Sequence, residues 1–366
     1  MPHDAISKQI RAVDVFTPGA FPEYTYVERG EERLESTLAS ALETPGLIIS
    51  LAGPSKSGKT VLVEKVVGKD TLIPISGASI KSVDDVWKRV FEWMGTPASV
   101  SESSTKSASV GVAASAKGSV GIPLVAKGES GLTGNIEGKL ASTVQSVRDR
   151  RGLAQIVAEI SKSDYVILLD DFHYMSPDLQ KEVANVLKEA VRLEVKIVTA
   201  VVTHRGDDVM RANPELRGRI RSIDVKYWAK SELTAIAIAG FGALNASVDP
   251  AAIATFVDEA AGSPQLMQSL CLETCKVHGL DSAHQGLTPM MINVSKESVC
   301  AILQHTSGTT DYRSIVNILD DGPKTRGTER KIYRCRDGTS GDVYSVLLKA
   351  VAHDPPQLSF TYDQLL

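Results

Sequence analysis

GLIISLAGPSKSGKT, residues 46 to 60, decides the fold. Its first half, GLIISLA, is an unbroken apolar run of the kind that forms a strand buried on both faces. Its second half, Gly53-Pro54-Ser55-Lys56-Ser57-Gly58-Lys59-Thr60, matches G-x-x-x-x-G-K-[ST] directly after that strand and at the start of a helix, the context that gives the pattern its meaning. The glycines let backbone N–H groups turn inward around phosphate oxygens, and the helix N-terminus adds its positive end. Lys59 is placed to reach the outer phosphates and Thr60 to ligate a divalent cation. A phosphate-binding loop built from Gly53, Ser55, Ser57, Gly58, Lys59 and Thr60 is the first expectation.

Working outward, RGEERLESTLASALE at 29–43 spaces Leu34, Leu38 and Leu42 four apart, a short amphipathic helix leading into the strand. TLIPIS at 71–76 reads as the next strand. SVDDVWKRVFEWMG follows it, with Val83, Val86, Trp87, Val90, Phe91 and Met94 on one helical stripe. YVILLDD (165–171) and EVKIVTAVVTHR (194–205) are β-branched runs that read as buried parallel strands, separated by the helical SPDLQKEVANVLKEAVRLE, and RIRSIDV (219–225) is a fifth strand. Such alternation implies an α/β fold, a three-layer doubly wound parallel sheet with ligands at the carboxyl ends of its strands. Asp170 ends the run YVILL, so its carboxylate emerges at that edge, with Asp171 behind it. One of the two is expected to hold Mg2+ through water and the other to orient and deprotonate an attacking water; Asp170 is assigned to the metal and Asp171 to the water. A pair of solvated turn acids is the plain alternative.

Between these strands, residues 97–146 change to Ser, Gly, Ala and Lys with alternating small apolar residues, and read as an insertion, either a β-hairpin excursion or a linker. Residues 231–305 look purely helical. The remainder, 306–366, holds a basic cluster, KTRGTERKIYRCR at 324–336, then a helix and the start of another, a partial winged-helix-like tail. The expected division is therefore a P-loop domain at 1–230, a helical lid at 231–305 and a small tail.

Composition sets outer limits. The 366 residues are 43% hydrophobic and 23% charged, enough to fill a globular core, and a net charge of −4 gives no global field for polyanions, so any contact with DNA is local. No apolar run reaches the roughly 18 to 20 residues that span a bilayer, and MPHDAISKQI lacks a signal-peptide core, so no membrane is expected and the cytoplasm is the expected location. Four cysteines, at 271, 275, 300 and 335, make no disulfide framework; Cys271 and Cys275 read as a buried helical pair before a metal site.

Taken in order, the P-loop, the strand ending in Asp-Asp, the strand ending in Thr-His-Arg, ELRGRI and Gly-Ser-Pro resemble the AAA+ superfamily of P-loop ATPases, closest to its STAND signalling branch, over roughly 25–290. That resemblance implies ATP and Mg2+ as ligands and an ATPase activity, with turnover in doubt because Asp-Asp replaces the usual Asp-Glu. It implies that Thr203 and Arg205 face the γ-phosphate, the alternative being a surface arginine after a strand. It implies that Arg217 or Arg219 reaches a neighbouring subunit's nucleotide, the alternative being a solvated basic turn. Pro264, with Ser263 before it, is similar to the start of the STAND lid helix, where Gln265 stands in place of a sensor arginine. TYVERGEERLE resembles the segment that wraps adenine in origin-recognition-like relatives, placing Tyr26, Val27 and Arg29 near the base.

Two functions compete on this reading. One is a nucleotide-operated switch that forms a homo-oligomer and signals to a separate effector protein, in prokaryotic immune or stress signalling such as antiviral defence. The other is a DNA-associated ATPase of the loader or transposition-helper kind, contacting phosphates through Arg330, Lys331 and Arg334. A small-molecule kinase is the third, weakened by the large helical segment and the lack of an acceptor site.

Overall fold

Five strands, β1 (Ile48–Ala52), β2 (Leu72–Ser76), β3 (Val166–Asp170), β4 (Lys196–Val201) and β5 (Ile220–Asp224), form one sheet in the order β2-β3-β4-β1-β5. The structure is a computed structural model describing residues 9–30, 32–95, 152–202, 218–309, 312–323, 330–335 and 338–352. The proposed insertion at 97–146 lies outside the described residues. β2, β3 and β4 pair in parallel, with Leu72 opposite Val166, Ser76 opposite Asp170 and Val166 opposite Lys196. β1 is buried along its whole length and β3 up to Asp170. Burial on both faces explains why these strands are continuous apolar runs without alternation. The expected three-layer α/β fold with a parallel sheet is present.

The helices, numbered along the chain, are α1 (Ala12–Val15), α2 (Leu34–Leu42), α3 (Lys59–Val67), α4 (Val83–Trp93), α5 (Leu153–Ile160), α6 (Pro177–Arg192), α7 (Lys230–Ala243), α8 (Pro250–Ala260), α9 (Pro264–Val277), α10 (Lys296–Thr309), α11 (Tyr312–Asp321) and α12 (Val343–Val351). α4 starts at a capping box: Ser82 is its cap, and the Asp85 carboxylate accepts the Ser82 and Lys81 N–H groups at 2.8 and 3.0 Å. Its predicted stripe is buried at Val86, Trp87, Val90 and Phe91. α6 starts at Ser176-Pro177, where the serine hydroxyl accepts from Leu179 N–H and proline at the first turn lacks only an N–H that had no partner to lose.

The chain forms two compact units. One, Ala39–Leu51 with Val67–Ser222, holds β2 to β4, most of β1 and β5, and α4 to α6. The other, Met1–Leu38 with Ala52–Val66 and Ile223–Leu366, holds the loop after β1 and the helices from α7 onward. The core of the second unit is Phe241, Phe256, Met267, Leu270 and Cys271, and the N-terminal segment is part of it. Phe16 meets Phe241 edge-on at 5.1 Å, and Gly240 leaves the room: a Cβ there would lie 2.2 Å from the Phe16 ring. Ala12 N–H donates to Asp281 O and Ala283 N–H to Ile10 O, tying the same segment down.

The stretch expected to be purely helical also contains two three-residue strands, β6 (Ala246–Val248) and β7 (Met290–Ile292), paired in parallel. Runs so short show no period-2 alternation, so the sequence carries no strand signal there. Two-residue strands β8 (Tyr333–Arg334) and β9 (Ser340–Gly341) form an antiparallel ladder before α12. Cys271 and Cys275 are free thiols buried in α9; burial pushes both up, Cys275 to about 12. No helix among the described residues is long and apolar enough to cross a membrane.

Candidate functional site

The loop Gly53 to Gly58 joins the end of β1 to α3, and its shape is dictated by close approaches. Val225 N–H donates to Ala52 O at 2.7 Å, and a Cβ on Gly53 would sit 2.4 Å from Val225 O. Only glycine fits there. Lys56 and Gly58 have φ of 63° and 89°, left-handed turns that let neighbouring N–H groups face one concavity. Ser57 is buried, and among the described residues its hydroxyl has no hydrogen-bond partner. A buried hydroxyl of this kind is costly unless something supplies an oxygen or donor to it. The Lys59 ammonium donates to Gly53 O at 3.0 Å and Pro54 O at 2.7 Å, so it lies over the loop it belongs to. Thr60 stands exposed on the first turn of α3, and Ser55 is exposed at the loop's apex. Left-handed turns, an orphaned hydroxyl, a lysine over the loop and a helix N-terminus are together a donor set that fits an anionic, phosphate-type ligand.

Beside the loop runs Val225-Lys226-Tyr227-Trp228. The Trp228 indole N–H donates to Ser57 O at 2.9 Å, and its backbone N–H donates to Gly262 O at 3.1 Å. Arg29, expected near a base, is buried and committed to protein: it donates to Lys226 O at 3.1 Å, Tyr227 O at 3.2 Å and Glu232 at 3.3 Å, pairs with Glu32 at 3.2 Å and stacks over Trp228 at 5.4 Å. Val27 is half-buried against the helical core. Tyr26 stacks on Phe21, lies under Lys65 and donates its hydroxyl to Glu35 at 2.7 Å; burial, then Glu35, pushes the phenol well above its ordinary value. Gly262-Ser263-Pro264 opens α9: Gly262 takes φ 76°, Ser263 caps Leu266 N–H and Pro264 occupies the first helical position.

Asp170 and Asp171 belong to the other unit. Asp170 closes β3, and its carboxylate accepts Asp171 N–H at 2.9 Å. Asp171 has φ 55°, a left-handed conformation uncommon for a residue with a Cβ. Gly77, after β2, packs on it so closely that a Cβ would lie 2.4 Å from Asp171 O. Both carboxylates are half-buried. β4 lies between β3 and β1 in the sheet. Thr203, Arg205 and Arg217 are outside the described residues. Arg219 is half-buried at the entry to β5, where its carbonyl accepts Ile48 N–H at 2.8 Å, beside the first residue of β1.

Sequence reasoning missed Trp228 and the strap that contains it. The available signal was slight: one of three tryptophans in the chain, placed four residues after a strand. Nothing local says that it folds back on a loop 170 residues earlier.

The sheet thus carries a phosphate-type loop after β1 and an acidic pair after β3, in the strand order β2-β3-β4-β1-β5. Among solved structures the chain is similar to the ORC2 protein of Aeropyrum pernix in ADPNP-ADP complexes, 14% identical over 86% of this chain and 79% of that one with a TM-score of 0.52. The ADP form of that protein gives 15% identity, 85% and 79% coverage and a TM-score of 0.51. Cdc6p from Pyrobaculum aerophilum gives 17%, 75% and 69%, with a TM-score of 0.47. At such identities the likeness to the Aeropyrum pernix protein is one of fold alone. No protein-family model and no curated protein matches the chain.

Proposed function

We propose that the chain is an ATP-binding, ATP-hydrolysing switch of AAA+ type. The observation that carries this is the loop at 53–60: left-handed Lys56 and Gly58, a buried Ser57 hydroxyl with no partner among the described residues and Lys59 folded over the loop, at the N-terminus of α3. Gly53, Ser55, Ser57, Gly58 and Lys59 would hold the phosphates and Thr60 would be a Mg2+ ligand; of the other unit's acids, Asp170 is the proposed metal residue and Asp171 the proposed water-orienting one. Bound Mg2+ neutralises charge developing on the phosphates. Val27 and Pro264 belong to the base end, with Arg29 acting from behind Trp228. Arg205 senses the γ-phosphate, and Arg217 or Arg219 serves a neighbouring copy in a homo-oligomer. Delivery of the output to a separate effector protein, in an immune or stress response, is the finest form of this reading and rests on motif order alone.

The test is ATP binding and hydrolysis by the protein beside Lys59→Ala and Asp171→Ala, over a range of protein concentrations. Lys59→Ala should abolish binding; Asp171→Ala should bind Mg-ATP but lose turnover by about 100-fold or more. Turnover that rises with concentration, and a larger particle with a nonhydrolysable analogue than with ADP, supports assembly. An unchanged monomer in both nucleotides removes that step, and hydrolysis surviving in Lys59→Ala removes the site.

A DNA-associated ATPase is the second reading, favoured by the exposed Lys331 and Arg334 beside the β8–β9 ladder. Residues 324–329 and 336 of the basic cluster lie outside the described ones.

A further inference from the structure

We propose that Trp228 is a positioning residue for the P-loop, coupling the phosphate site to the turn that opens α9; this rests on the loop binding nucleotide phosphates. Two donors on one residue make the connection. The indole N–H holds Ser57 O at 2.9 Å, and the backbone N–H holds Gly262 O at 3.1 Å. The peptide between Ser57 and Gly58 is planar and trans, so its carbonyl and N–H point in opposite directions. Fixing Ser57 O toward the indole therefore aims Gly58 N–H away from it, into the loop. The ring also lies against Gly58, 3.9 Å from where a Cβ would be.

The tryptophan has little freedom of its own. Arg29 stacks over it and grips the two preceding carbonyls, Lys226 O and Tyr227 O, while Glu232 and Glu32 hold the buried guanidinium. Tyr227 packs on Gly262 so closely that a Cβ there would lie 2.9 Å from the Tyr227 Cβ, at φ 76°. At the other end of the strap, Val225 N–H holds Ala52 O and Val225 O fills the space beside Gly53. Both ends of the loop are thus fastened to one four-residue strap. A phosphate that draws on Gly58 N–H or the Ser57 hydroxyl turns the Ser57 peptide, and the turn is felt at Trp228 and then at Gly262. Arg29 becomes the residue that keeps the strap stiff.

Trp228→Phe keeps an aromatic ring, smaller than the indole, and removes the donor. Its Mg-ATP Kd should rise about tenfold, while its melting temperature without nucleotide stays within a few degrees of wild type. Gly262→Ala, whose added Cβ would meet Tyr227, should weaken binding in the same direction. In wild-type protein labelled with 5-fluorotryptophan, the Trp228 resonance, assigned by elimination with Trp87→Phe and Trp93→Phe, should move when Mg-ATP is added. Lys59→Ala is the control. If wild type binds, Lys59→Ala does not, and Trp228→Phe binds as tightly as wild type, the coupling is refuted while the P-loop reading stands. If wild type binds no Mg-ATP, both fall. Should Trp228→Phe not fold, the fluorine shift decides: movement supports the coupling and a fixed resonance overturns it.

Discussion

At Asp171 a single φ of 55° concentrates the conflict between backbone preference and use. An L-residue held in the left-handed region costs of order 1 kcal/mol, and such conformations persist where neighbours over-determine them. Gly77 is that neighbour, its Cα hydrogens lying where a Cβ would come within 2.4 Å of Asp171 O. Because the obstacle is backbone, no side-chain rotation relieves Gly77→Ala, and the end of β3 must move. The expected cost is about 1–3 kcal/mol, read as a melting temperature lower by several degrees. If Asp171 orients the attacking water, hydrolysis should fall at least tenfold, while Mg-ATP affinity, set by the P-loop, changes less than about threefold. Turnover equal to wild type in a destabilised Gly77→Ala protein would detach Asp171 from the chemistry. The acidic pair was legible as the polar end of an apolar strand; the φ and the glycine behind it were not, since no local pattern records which backbone packs on which.

Among the elements, α12 shows how a basic residue can be mistaken for a ligand contact. Asp342 caps it, accepting Tyr344 and Ser345 N–H, both at 3.0 Å, and Arg330 donates to Asp342 at 2.6 Å, to Asp321 O at 2.6 Å and to Pro323 O, while stacking on Tyr344. Arg330 is therefore a fastener of the tail, and its charge reversal would test folding, not DNA. Lys331→Glu with Arg334→Glu is the clean pair: if DNA binds there, affinity should drop and the salt slope lessen by about one for each charge, with no loss of stability. Arg330, then the capped N–H groups, hold the Asp342 carboxyl below its ordinary 3.8. A depressed folded value stabilises above the ordinary one and is lost as pH falls through the folded one, so α12 should keep its cap from neutral pH to about 4 and loosen below. Hydrogen exchange of the amides after Val346 measures this; Asp342→Ala should raise their exchange about tenfold already at pH 7, and equal protection would refute the cap. The strands and α4 could be read from sequence because burial on two faces, or on one stripe, writes itself into local periodicity. The packing of Phe16 on Phe241 and the grip of Arg29 on Lys226 and Tyr227 could not, because their partners lie about 200 positions away.

For the whole molecule, what matters is which residues share a compact unit with the P-loop. Residues 52–66 belong with the N-terminal segment and the helices from α7 onward, and not with the strand that carries Asp170. A ligand that binds only the folded loop stabilises that unit by mass action, by about 2.7 kcal/mol at one hundred times its Kd. The gain should appear first where the loop's own hydrogen bonds lead: residues 53–60, the strap at 225–228 and the first turn of α9. With Mg-ATP present, hydrogen exchange should slow at these three segments by roughly the factor that the binding energy sets, and α12, which shares the unit but none of those bonds, should change little. EDTA should reduce the effect without abolishing it, since the loop's N–H groups and Lys59 remain after the cation is gone. Protection confined to 53–60 would mean that the strap does not transmit the ligand's presence. Equal slowing over both units would mean that nucleotide acts on global unfolding, and the strap would then be one stabilising contact among many.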